Sequence, residues 1–126
     1  MEERRKFQRT KVSFIVIYRV NSPITVRIQI GAEEADAIAL DLSEGGMAII
    51  TKYEIPAATL VTLKFIIIDT AAVNIEERTR VLEIAGEVCY VSSVQKLTYR
   101  LGIKFMELTA DDRAFIAHFV TRNANP

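Results

Sequence analysis

The chain has 126 residues, half of them hydrophobic and a quarter charged, which excludes an intrinsically disordered chain. Surface scaling gives about 6,800 Å² folded against about 20,600 Å² extended, so roughly two-thirds of the surface is buried and a core forms without disulfides. Sixteen basic and sixteen acidic side chains cancel, which argues against a general DNA or RNA binder with its basic surplus. The cancellation is uneven. Residues 1 to 11 hold five basic and two acidic side chains, a net +3 that leaves −3 on the rest. A basic arm, residues 1–12, therefore precedes a mildly acidic body, residues 13–126, read as one domain. Such an arm suits a small anionic ligand or an acidic partner; a solvated terminus is the plain alternative.

Ser13 to Val20 is rich in β-branched and aromatic residues and reads as a strand. Asn21-Ser22-Pro23 is a turn signal. Ile24, Val26, Ile28 and Ile30 alternate with Thr25, Arg27 and Gln29, which predicts a second, half-buried strand. Ala37 to Leu40 is extended, breaks at Asp41-Leu42-Ser43-Glu44-Gly45-Gly46, and resumes from Met47 to Thr51. Thr59 to Asp69 is a strand. Residues 70 to 80 read as a loop tip, a helical turn or a charged strand start. Val81 to Val91 is a strand in which Gly86 marks a bulge or a close backbone approach. Ser92 to Leu97 reads as a hairpin loop and Thr98 to Met106 as the last strand. The period then changes. Thr109 caps a helix from about Ala110 to Arg122, with Phe115, Ile116, Phe119 and Val120 on one face. Asp111 and Asp112 complement the helix dipole at its start and Arg122 at its end. About six strands with short connections and one helix predict a mainly β fold, a small antiparallel barrel or sandwich.

No apolar run is long enough to span a membrane. A single cysteine, Cys89, excludes an internal disulfide and a multi-cysteine metal site. With no apolar secretion signal near Met1, this favours a cytoplasmic location. His118 lies off the apolar face of the predicted helix, and no base–nucleophile pair, P-loop or dinucleotide fingerprint is present. A binding module is therefore preferred over an enzyme. Two segments carry its chemistry. In Arg5-Lys6-Phe7-Gln8-Arg9, two guanidiniums four residues apart can chelate phosphate or the guanine Hoogsteen edge and stack on a base. Phe7 is the candidate anchor for the arm. In Asp41-Leu42-Ser43-Glu44-Gly45-Gly46, Asp41 can accept from guanine N–H groups and Ser43 can bond a phosphate or the backbone. Gly45 and Gly46 allow positive φ and close approach. The alternative is a Ser or Asx turn of purely structural use.

In this order, about 30 residues apart, the two segments resemble those of the PilZ domain family, bacterial receptors for cyclic di-GMP, with RxxxR followed by DxSxxG. Tyr99-Arg100-Leu101-Gly102-Ile103-Lys104-Phe105 is similar to the family's late strand. The resemblance implies a six-stranded antiparallel β-barrel with a C-terminal α-helix and a non-enzymatic cyclic di-GMP receptor in the bacterial cytoplasm. It implies that Arg5 and Arg9 clamp guanine and phosphate, Asp41 reads a guanine edge, Ser43 supports the ligand and Gly46 shapes the turn. Arg4 would favour an intercalated nucleotide dimer, or be one more solvated charge. A protein partner or upstream domain would receive the output, with the chain a monomer or homodimer. The competing expectation is a PilZ-like protein-interaction module that binds no nucleotide. A single-stranded nucleic-acid binder is disfavoured by the neutral charge and the absence of tryptophan.

Overall fold

The computed structural model describes residues 7–31 and 33–123. Six strands form a closed antiparallel barrel: β1 (Arg9–Ser22), β2 (Ala35–Ser43), β3 (Gly46–Thr51), β4 (Leu60–Ile68), β5 (Thr79–Gln95) and β6 (Thr98–Glu107), in ring order β1-β2-β3-β6-β5-β4. Two helices complete it, α1 (Ile24–Ile30) and α2 (Ala110–Asn123). Alternation sorts the strands into two faces. In β1, Val16, Tyr18 and Val20 point inward while Ile15 and Ile17 point out. Leu63, Ile84, Leu101 and Ile49 fill the interior, and α2 adds Ile116, Phe119 and Val120 from one side. Tyr18 is the core's polar member. Its phenol shares a 2.7 Å hydrogen bond with Thr51 Oγ1, and burial pushes its pKa up to about 12.

The segment Ile24 to Ile30 is a helix and not the strand its alternation predicts. The spacing Ile24/Ile28 and Val26/Ile30 also fits i, i+4. Val26 and Ile30 face the barrel; Ile24 and Ile28 are two-thirds exposed. Pro23 opens the helix, its carbonyl accepting from Val26 N, and Gly31 closes it in the left-handed region at φ 72°. β1 already has β2 on one side as far as Tyr18 and β4 on the other from Val16 to Ser22, so only the short Arg19–Ser22 stretch is open to a seventh strand.

Other boundaries shift for local reasons. β1 begins at Arg9 and takes in residues 9 to 12, which the sequence reading gave to the arm. β2 runs on to Ser43, so the turn into β3 is only Glu44-Gly45. Ser92 to Gln95 is strand, paired with Arg100, Tyr99 and Thr98, and the hairpin turn is Lys96-Leu97. These serines are polar because the ribbon projects into solvent on both faces. Between β4 and β5 lies a 3₁₀ turn, Ile75–Glu77, capped by Asn74. Gly86 is both a register shift and a close approach, since a Cβ there would lie 2.7 Å from Ile103 Cγ2.

At the start of α2, Thr109 Oγ1 accepts from Asp112 N at 3.0 Å. Its far end is held by Asp69, a carboxylate with no solvent exposure just past β4. Arg122 donates to it from Nε at 2.8 Å and also from Nη2, Asn123 Nδ2 at 3.3 Å, and Ala71 N at 3.1 Å. Arg122 therefore does more than complement the helix dipole. Thr10 Oγ1 donates to Asn123 O at 2.8 Å, tying β1 to the same point.

Candidate functional site

A β-bulge sets the site. Between β2 and β3 the register slips after Ala39, so that Asp41 lies opposite Ala48. The slip turns Asp41 to the outside while its neighbour Leu42 stays fully buried. Three donors converge on the Asp41 carboxylate. Arg9 Nη1 reaches Oδ1 at 2.7 Å, Ala48 N reaches Oδ1 at 3.2 Å, and Arg100 Nη2 reaches Oδ2 at 3.5 Å. Asp41 is 16% exposed, against 31% for Arg9 and 39% for Arg100. The carboxylate thus sits between two accessible guanidiniums, one from β1 and one from β6.

The pairing Asp41–Ala48–Gly102–Tyr90 crosses four strands on the outer wall. Asp41 stands at one end of this row of small residues and Tyr90 at the other. Tyr90 lies flat on Gly102, where any Cβ would overlap the ring. Its hydroxyl accepts from Arg100 Nε at 3.3 Å, and this bond is the main reason the Arg100 guanidinium is held even above its usual range. The result is a linked chain, Arg9–Asp41–Arg100–Tyr90, with cationic, anionic, cationic and aromatic members in turn.

Ser43 stands across from Arg9 in the β1–β2 register. Its hydroxyl is nearly buried and occupied by the turn, accepting from Gly45 N at 3.1 Å and donating to Gly46 O at 3.4 Å. Neither motif glycine uses positive φ; Gly31 alone among the described glycines does. At Gly46 a Cβ would overlap the Ile103 carbonyl oxygen, so this glycine lets β3 lie close against β6. At Gly45 a Cβ would meet the Phe7 ring at 2.7 and 3.0 Å. Phe7 therefore packs over the turn, where an anchor of the arm is expected.

Arg4 and Arg5 lie outside the described residues. Arg9, Asp41, Ser43 and Gly46 come together at one end of the barrel. Arg100 and Tyr90 are additions that the sequence motifs miss. The signal for them is the strand register, which places both beside Gly102 on the outward face. Cys89 and His118 are both exposed, on β5 and α2 respectively. Among the described residues, no three His, Cys, Asp or Glu gather as a metal site, and no helix is long and apolar enough to cross a membrane.

Fold and site together define a small β-barrel module with a patch of charged and aromatic side chains on its outer wall. The chain belongs to the PilZ domain family, whose model matches residues 3–122. Solved structures give the same fold. The Bacillus subtilis inhibitor of motility MotI/DgrA aligns with TM-score 0.71 and 18% identity, over 96% of this chain and 51% of that one. The PilZ domain of Escherichia coli YcgR with c-di-GMP aligns at 0.64 and 12% identity, over 96% and 92%. Klebsiella pneumoniae MrkH in its c-di-GMP complex aligns at 0.61 and 16%, over 96% and 52%. The chain thus spans about half the length of MotI and MrkH. No curated protein sequence matches.

Proposed function

We propose that this domain is a non-enzymatic receptor for cyclic di-GMP, acting in the bacterial cytoplasm. The observation that carries the reading is the outward Asp41 carboxylate held between Arg9 and Arg100 beside Tyr90. In the free chain the two arginines neutralise Asp41. A cyclic dinucleotide offers both halves of an exchange. Its phosphates take the guanidiniums, and guanine N1–H and N2–H groups replace them on the carboxylate. Arg5, four residues before Arg9, is the second clamp, and Arg4 a further cation for a stacked second nucleotide. Ser43, whose hydroxyl holds the turn, supports the ligand from the end of β2. Binding draws the arm onto the barrel over Phe7 and changes the surface offered to a protein partner or upstream domain. Two of the similar structures, YcgR and MrkH, hold c-di-GMP, which supports the reading.

Calorimetric titration tests it, with GTP and cyclic di-AMP as controls. Saturable heat with cyclic di-GMP alone is expected, at one nucleotide per chain, or two if Arg4 joins a stacked pair. Arg5→Ala and Arg9→Ala are expected to abolish it while the fold survives. No heat and no thermal shift at high ligand would refute the receptor.

A further inference from the structure

The opposite side of the barrel wall is apolar where a solvated wall would be polar. Ile15 is 63% exposed, Ile66 51%, Ile68 64%, Val81 71% and Ile38 43%. Cross-strand register makes them contiguous. Ile38 pairs with Ile15 across β2 and β1, and Ile66 with Val81 across β4 and β5. β1 and β4 join the two pairs, because Val16 lies opposite Phe65. One unbroken row of four branched side chains therefore crosses four strands. Beneath it the Phe14 and Phe65 rings stack at 5.5 Å and give a stiff floor.

A monomer rarely leaves such a surface bare. With Ile17 and Ile68 at its margins, the face exposes on the order of 600 Å² of apolar area, at the top of the range for one patch. A standard stable interface buries about 800 Å² per partner, with an apolar centre and a polar rim. The next row supplies such a rim, since Asp36, Ile17, Lys64 and Glu83 lie side by side in register. Lys64 also bonds Glu34 at 3.4 Å. Both signs are present, so the rim carries no one-signed field that would select an oppositely charged protein. Strand pairing matters too. At the level of this row the strands are already paired with one another, so a second copy reaches the row face to face and not by extending the sheet there.

We infer that this β2-β1-β4-β5 face is a homodimer interface, the occupant being the same face of a second copy. The apolar area matches the centre that one copy needs, and the mixed rim suits self-association. The inference is independent of nucleotide binding, because Arg9, Asp41 and Tyr90 lie outside the face.

Sedimentation equilibrium of the whole chain, from about 1 µM to about 500 µM without nucleotide, tests it. A monomer–dimer equilibrium is expected. Ile66→Lys, at the centre of the row, is expected to raise the dimer dissociation constant at least about 100-fold, with circular dichroism unchanged. Ile28→Lys on α1, more exposed than Ile66 but off the face, should leave it alone. If Ile66→Lys misfolds, Val81→Asp takes its place, its side chain being the more exposed. A chain that stays monomeric throughout overturns the homodimer and gives the face to another occupant, such as an adjoining domain. So does a dimer that survives a folded Ile66→Lys or Val81→Asp.

Discussion

Replacing Gly46 by alanine separates packing from ligand contact in the DxSxxG segment. The added Cβ would overlap the Ile103 carbonyl oxygen, and would sit 3.1 Å from that carbonyl carbon and 3.3 Å from Lys104 Cα. All three atoms are backbone, so no side-chain rotation relieves the crowding. β3 must move away from β6 at the Gly46–Lys104 pair, where the ladder begins. Overpacking of this kind costs about 1–3 kcal/mol. For 126 residues, unfolding entropy converts each kcal/mol into about 4 °C. Gly46→Ala should therefore lower the melting temperature by about 4–12 °C in the absence of ligand. Gly45→Ala meets only the Phe7 ring, which can swing aside, so its melt should stay within about 2 °C of the parent. Calorimetric melts of both variants, with circular dichroism to check the fold, decide the matter. A Gly46→Ala protein that melts with the parent would show that the close approach to β6 carries no stability, and the packing role would be wrong.

Three further outcomes follow from the same geometry. Asp69→Ala should cost about 1.5–3 kcal/mol in urea unfolding, because Ala71 N and Asn123 lose their carboxylate acceptor while the exposed Arg122 turns to water; a loss under about 0.5 kcal/mol would contradict a role for Asp69 in holding the end of α2. The Tyr18 phenol, pushed up to about 12 from 10.0, holds its proton more tightly in the folded chain than in the unfolded one. Stability should be level below about pH 10 and fall by about 2–3 kcal/mol between about pH 10 and 12. Tyr18→Phe should lose about 1 kcal/mol at neutral pH, through the unpartnered Thr51 hydroxyl, and should also lose that share of the alkaline decline. An identical alkaline profile in the variant would remove Tyr18 as its source. Arg100→Ala should weaken cyclic di-GMP about 10- to 100-fold in calorimetry with little change in melting, and Arg100→Lys should recover only part; full affinity in Arg100→Ala would exclude that arginine from the site.

Legibility in the sequence depended on how local each determinant was. The strands were readable because β-branched residues alternate within them, and α2 because Thr109 and the Phe115-to-Val120 face state its start and its side. The Ile24–Ile30 helix was misread because seven residues satisfy periods of 2 and 3.6 equally well. What decides between them is the closed ring, which appears only when all six strands are placed. The site divides the same way. Asp41, Ser43 and Gly46 form one short segment and Arg9 lies in another, so motifs reveal them. Arg100 and Tyr90 join through register across β3, β6 and β5, which no local spacing records. The roles of Gly45 and Gly46 were equally hidden, since each is set by an atom far away in sequence.

The bond from Thr10 to Asn123 has a geometric consequence for anyone attaching something to this domain. It brings the last residue of α2 against the second residue of β1, next to Arg9. Both ends of the described chain therefore leave the barrel from one pole, the pole that carries Asp41. A bulky group carried next to Arg9 or Asn123 would crowd the Asp41 site. Lys96-Leu97, the hairpin tip at the opposite pole, is where a reporter can ride without touching it.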